Sequence, residues 1–163
     1  MRRFVHILLL AGMLVLLTGC EGEEKAPAAT AVPTQQAERI ETITIYSINS
    51  DTMTLIPVSV RKTNGGQLTA QSITNLVQSG LNDDRIQVDE VIVQNEKVIV
   101  SFSSKGRPIR DCNKKMETLI LECFSNSLLD NVKGCKKVIF RCDGKEYRSS
   151  QYKFTLNEVY ASA

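Results

Sequence analysis

Five cysteines offer the most distinctive chemistry in this 163-residue chain, and they fall into two groups. Cys20 stands alone. It closes Leu17-Thr18-Gly19-Cys20, directly after an apolar run from Phe4 to Leu17 that is broken only by His6 and Gly12 and preceded by Arg2 and Arg3. A charged start, an apolar stretch and small residues before a cut site are the grammar of a secretory signal. A thiol with small neighbours at that cut site is what lipid thioether chemistry requires. The run is shorter than the ~20 residues a membrane-spanning helix needs. The expectation is a lipoprotein signal over residues 1–19, cleavage before Cys20, and lipid on Cys20. The protein would then sit on the outer face of the cytoplasmic membrane.

The other four are Cys112, Cys123, Cys135 and Cys142, with no C-x-x-C among them. That spacing indicates neither a zinc knuckle nor a thioredoxin-type motif. Four thiols allow three pairings. If Cys112 and Cys123 share one helix, they are separated along its axis by about 16 Å. A disulfide needs Cα atoms within about 7 Å. Cys135 and Cys142 are likewise too far apart along a strand. Because the chain reverses at Asn131 to Gly134, distance from the turn favours Cys112–Cys142 with Cys123–Cys135, provided Cys135 sits in the turn. Export permits disulfides without requiring them. The alternative, four reduced thiols buried as small hydrophobes, stays open.

Removal of residues 1–19 takes away the only histidine as well as Arg2 and Arg3. The remaining 144 residues carry 18 basic and 18 acidic side chains, so the mature chain is neutral. Neutrality argues against nucleic-acid binding, which needs a basic footprint. The absence of histidine excludes Ser-His-Asp and Cys-His nucleophile systems and any histidine-dependent zinc site. No enzyme, metal or cofactor is expected. The weakest of the competing readings is a hydrolase that pairs Asp83 or Asp84 with Asp89 or Glu90.

Charge is nevertheless uneven. Residues 21–60 hold six acids and two bases, whereas 103–150 hold eleven bases and six acids. The set Lys105, Arg107, Arg110, Lys114, Lys115, Lys136 and Lys137 is the basis for a second functional reading. It would contact an anionic polymer or peptidoglycan of the cell wall.

The elements that must position these groups start near Ile40. Residues 21–38, rich in Ala, Pro, Thr and charge, lack apolar periodicity and read as a tether. The boundaries are thus 1–19 for the signal, 20–39 for lipidated cysteine and tether, and 40–163 for the folded domain. Thr42–Tyr46 and Thr54–Val60 are β-branched strand segments, with Pro57 placing the second at an edge or bulge. Asn64-Gly65-Gly66 signals a turn. The spacing of Ala70, Ile73, Leu76 and Val77 predicts a helix from Leu68 to Ser79 that stops at Gly80. Val88–Val93 and Lys97–Phe102 form a predicted hairpin, with Val98, Val100 and Phe102 on one face. Asp111 is the expected N-cap of a long helix to Leu129, with the stripe Met116, Leu119, Ile120, Cys123, Phe124 and Leu128. Lys137–Cys142, the Asp143-Gly144 turn and Lys145–Arg148 follow, and Tyr152–Tyr160 could add a closing strand. The fold class is α+β, a single domain of mostly antiparallel sheet with two helices packed on one face.

This order of elements resembles the GerMN domain family of sporulation and spore-germination lipoproteins, over residues 43 to about 150. The resemblance rests on Ile43-Thr44-Ile45-Tyr46, on Leu55-Ile56-Pro57-Val58 with Arg61, and on Leu76-Val77-Gln78-Ser79-Gly80. It continues through Lys97-Val98-Ile99-Val100-Ser101-Phe102-Ser103 and Val138-Ile139-Phe140-Arg141-Cys142-Asp143-Gly144-Lys145. The chain departs from the family where Leu81, rather than a proline, follows Gly80, and where Asn82–Val88 contains no proline. The resemblance implies a non-enzymatic, extracytoplasmic interaction domain. Its partner would be another envelope protein in assembly of a sporulation or germination complex. It also implies kinship in shape with domains that stack into rings.

Overall fold

The computed structural model describes residues 41–62 and 68–163. The signal, Cys20, the whole of the tether and the Asn64-Gly65-Gly66 turn lie outside the described residues. The elements run β1 (Thr42–Asn49), β2 (Thr54–Arg61), α1 (Ala70–Leu81), β3 (Val88–Gln94), β4 (Lys97–Phe102), α2 (Lys114–Asn131), β5 (Lys137–Cys142), β6 (Lys145–Arg148), β7 (Lys153–Phe154) and β8 (Ala161–Ser162). The α+β class is as the sequence predicts. The strands, however, divide into two sheets. β1 and β2 form a separate antiparallel hairpin, and the larger sheet has the order β3-β4-β5-β6-β7 with β8 beside β5. Of the expected closing strand over Tyr152–Tyr160 only β7 forms; the segment Thr155–Tyr160 is irregular, and β8 follows it.

The larger sheet is antiparallel except at β4 and β5, which run parallel from Lys97↔Lys137 to Phe102↔Cys142. Parallel neighbours need a crossover, and α2 supplies it. β4 is buried on both faces from Val98 to Phe102. Val98, Val100 and Phe102 belong to the main core, while Ile99 and Ile139 pair on the opposite face. Phe102 is the hub of the core. Its ring lies edge-on to Phe124 at 5.2 Å and also meets Phe140 at 5.7 Å and Tyr147 at 6.5 Å.

The hairpin packs against α2, whose buried residues cover most of its circumference: Leu119, Ile120, Leu121, Cys123, Phe124, Ser125, Ser127 and Leu128, together with Glu117. Between Glu117 and Leu129 only the stripe Thr118, Glu122, Asn126 and Leu129 is partly exposed. A helix buried over most of its circumference is a central element rather than a surface one. Its polar residues have definite partners. Ser127 Oγ accepts from the Tyr46 amide at 2.9 Å, and Asn131 Nδ2 donates to the Thr44 carbonyl at 2.7 Å. Residues 44 and 46 share one backbone edge, so two side chains a helical turn apart do the work of a neighbouring strand. Ser127→Ala is therefore expected to cost about 1–2 kcal/mol, because the Tyr46 amide loses its partner. Urea unfolding should show a lower midpoint at unchanged slope.

The helix ends differ from expectation. α1 opens with Thr69, which forms a reciprocal capping box with Ser72, and it closes on Asn82 at φ 47°. Gly80 lies inside the helix, where a Cβ would meet Ile45 Cδ1 at 3.3 Å. The N-cap of α2 is Asn113, whose side chain accepts from the Met116 amide; Asp111 sits two residues earlier at φ 54°. Asp143 and Gly144 both have positive φ, as a tight type I′ hairpin turn requires.

Candidate functional site

The C-terminal end of α1 and the segment after it form an open polar groove of about 600 Å³, lined by Asn75, Gln78, Ser79, Asn82, Asp83 and Asp84. Helical spacing places Asn75, Gln78, Ser79 and Asn82 on one flank of α1. Gln78 is held in place because its Nε2 donates to the Ile86 carbonyl at 2.7 Å. Its carbonyl oxygen is thereby left for a ligand. Asn75 accepts from Gln71 at 2.9 Å through Oδ1, which leaves its amide hydrogens available.

Asp83 anchors the floor of the groove. It accepts from Arg85 Nε and Nη2 at 2.9 and 3.0 Å, and from Arg107 Nη1 at 2.7 Å. The Arg85 contacts hold its carboxyl below the usual carboxylate range, with Arg107 adding to the effect, and Arg85 is raised in turn. Beside it lies a smaller pocket of about 110 Å³, walled by Ile48, Leu81, Ile86, Met116 and Ile120 with Asp83 and Arg107. An amide-rich groove thus adjoins an apolar recess, and the charge between them is internally neutralised. Such a surface can bind a peptide segment through its backbone and one small aliphatic side chain.

The loop 103–111 brings Arg107 to Asp83. Its backbone crosses the 83–87 segment directly: the Arg107 amide donates to the Arg85 carbonyl at 2.8 Å, and Ile86 and Arg107 form an isolated parallel bridge. Gly106 makes this crossing possible, since a Cβ there would lie 2.2 Å from the Arg85 oxygen.

The sequence-predicted basic residues separate into two groups. Lys105, Arg107 and Arg110 lie in the loop that leads into α2 and Lys114 and Lys115 open the helix, whereas Lys136 and Lys137 follow its far end. An 18-residue helix puts about 27 Å between those ends. Arg107 is committed to Asp83, Lys136 to Glu96 at 2.5 Å, and Lys114 lies over the Tyr152 ring at 5.6 Å. For the carboxylate pair, Asp83 is held ionised by two arginines, the opposite of what a general acid needs.

All four described cysteines are free thiols. Neither disulfide of the favoured pairing is present, and the structure corresponds to the reduced alternative. Cys112 precedes α2 rather than lying on it, so the helix-based separation of Cys112 and Cys123 does not apply. Cys135 sits in the turn before β5, as the pairing argument required. Burial raises the thiol of each, that of Cys123 to about 12. A thiol raised in this way is a poor nucleophile.

Sequence reasoning missed Asn75, Gln78, Asn82 and Arg85. The signal was the polar set Gln78, Ser79, Asn82, Asp83, Asp84 and Arg85, interrupted only by Gly80 and Leu81, at the end of an otherwise amphipathic helix. Among the described residues, no group of three or more His, Cys, Asp or Glu is placed to hold a metal, and no helix is long and apolar enough to cross a membrane.

No protein-family model and no curated protein matches the chain. Among solved structures it is similar to the tandem GerMN domains of the sporulation protein GerM from Bacillus subtilis, at 17% identity and a TM-score of 0.47. The similarity covers 76% of this chain and 46% of that one, so the chain spans about half the length of the structure it matches.

Proposed function

We propose that this chain is a lipid-anchored extracytoplasmic domain that binds another envelope protein, in assembly of a sporulation or germination complex. The observation that carries the reading is Leu17-Thr18-Gly19-Cys20 at the end of an apolar, Arg-initiated leader. Cys20 supplies the anchor, residues 21–38 the spacing, and the α1 groove the recognition surface. The groove supports a protein partner because its free amides and hydroxyls match a peptide backbone, and because Arg85 and Arg107 already neutralise Asp83. The wall-polymer reading draws less support, since its basic residues are spread over two ends of the domain.

Two measurements test this. Labelled fatty acid should be incorporated into the chain and lost in Cys20→Ser, together with membrane retention. A photo-crosslinking side chain at Asn82 should trap an envelope protein in sporulating cells. Labelling that survives Cys20→Ser overturns the anchor. Absence of any Asn82 adduct in a correctly anchored protein overturns the groove as the recognition surface.

A further inference from the structure

β3 is the terminal strand of the larger sheet, and its two halves are built differently. The first half is guarded. The register shifts between Val88 and Glu90, and Asp89 and Glu90 are exposed charges. A bulge and charge are the usual means of stopping an edge from pairing. The second half, Val91-Ile92-Val93-Gln94, is regular and uncharged, and none of the described strands pairs with its outer edge. Val93 is 57% exposed, the most exposed large apolar side chain among the described residues.

The register fixes what this edge can bond. Gln94 and Lys97 flank the two-residue turn Asn95-Glu96, so they form the hydrogen-bonded closing pair of the hairpin. Alternation then directs the amide and carbonyl of Ile92 toward β4, and those of Val91 and Val93 outward. A partner strand must match two outward residues, two positions apart, with an uncharged apolar segment.

We infer that this edge pairs with β3 of a second copy of the chain, antiparallel about a two-fold axis at Ile92. That register places Val91 opposite Val93 of the second copy in hydrogen-bonded pairs, which exchange about four backbone bonds. Ile92 meets its own symmetry mate in the non-hydrogen-bonded position between them. Glu90 falls opposite Gln94, so no like charges face one another. Centring on Val91 instead would set Ile92 against Glu90, and Val93 against the bulged Asp89. Centring on Val93 would set Ile92 against Gln94 and Val91 against Asn95. Only the Ile92 register matches apolar to apolar while both outward-bonding valines find partners. A two-fold pairing closes on itself, and the bulge at Asp89 stops the ladder from extending.

The test is directed crosslinking of the full chain in detergent micelles under mild oxidation. Non-hydrogen-bonded antiparallel partners have Cα atoms about 4.5 Å apart, within the disulfide range. Ile92→Cys should therefore give a covalent dimer. In this register Val93 and its mate are offset by two positions, with Cα atoms about 8 Å apart, so Val93→Cys should not. The unsubstituted chain controls for the native thiols. Sedimentation should show concentration-dependent dimerisation, with Val93→Lys weakening it at least tenfold; an exposed position tolerates that change. Equal crosslinking of Ile92→Cys and Val93→Cys, or none by Ile92→Cys, overturns the register. A chain that sediments as a monomer at every concentration, or pairs equally well with Val93→Lys, overturns the interface.

Discussion

Gly106→Ala is expected to lose about 3 kcal/mol of stability, the sum of overpacking and of broken loop hydrogen bonds. The added methyl would lie 2.2 Å from the carbonyl oxygen of Arg85, and that oxygen belongs to backbone that no rotamer change can move aside. The loop must lift away. The Arg107–Arg85 backbone bond would go with it, and Arg107 would be drawn off Asp83. The loss is thus coupled to the groove, because Asp83 would keep only Arg85. Hydrogen exchange should show protection falling first at the Arg107 amide. Gly80→Ala is the matched control. Its methyl meets only the tip of Ile45 at 3.3 Å, and an alanine inside a helix gains up to about 1 kcal/mol. Gly80→Ala should therefore be near neutral or stabilising. Equal losses at the two positions would refute the backbone-crossing explanation.

The contrast between these glycines shows what was legible in the sequence. Gly80 reads as a helix stop, yet the helix runs through it and ends two residues later at Asn82. The glycine is small there because Ile45 packs against it, a contact 35 positions away in the chain. Gly106 carries no local signal at all, since its constraint comes from Arg85 in another segment. The same limit explains the hairpin. The β-branched character of β1 and β2 predicts two strands, but not that they leave the main sheet and close on α2. That placement depends on Ser127 and Asn131, which look like ordinary polar residues within a helical stripe.

Part of the topology is legible in β4. Val98-Ile99-Val100-Ser101-Phe102 is nearly continuous in apolar residues rather than alternating. A strand of that kind is buried on both faces and belongs beside a parallel neighbour. Read in this way, β4, α2 and β5 form one crossover unit. The groove was legible only as polarity at the end of α1. Its organising ion pair joins Asp83 to Arg107 across 24 positions, a separation at which no local pattern links the two residues.

Tyr147→Phe is expected to destabilise the domain by about 3 kcal/mol where Glu117 is ionised, and by less as pH falls toward the ordinary carboxylate value. Tyr147 and Glu117 are both fully buried, and the tyrosine hydroxyl donates to Glu117 Oε1 at 2.7 Å. Glu117 Oε2 has no hydrogen-bond partner. Burial raises the Glu117 carboxyl above its ordinary value of 4.5, and the hydrogen bond from Tyr147, with Ser149 nearby, offsets only part of that. The sign follows from proton counting. Between the unfolded value near 4.5 and the raised folded value, the folded state holds more protons than the unfolded one. Stability therefore falls as pH rises through that window and levels off above it. Phenylalanine removes the one donor to Oε1, which leaves the ionised carboxylate less compensated and widens the window. At low pH the carboxyl is neutral in either variant, so the deficit shrinks. Glu117→Gln keeps an oxygen for Tyr147 and cannot ionise. It should be more stable than the unsubstituted chain at pH 7, and its stability should not fall through this window. In the Glu117→Gln background, Tyr147→Phe should cost only an ordinary neutral hydrogen bond, about 1 kcal/mol, independent of pH. Urea midpoints for the four proteins between pH 4.5 and 8 measure the coupling. A Tyr147→Phe deficit that stays constant with pH would mean that Glu117 is neutral in the fold across the whole range. The pair would then act as a simple buried hydrogen bond.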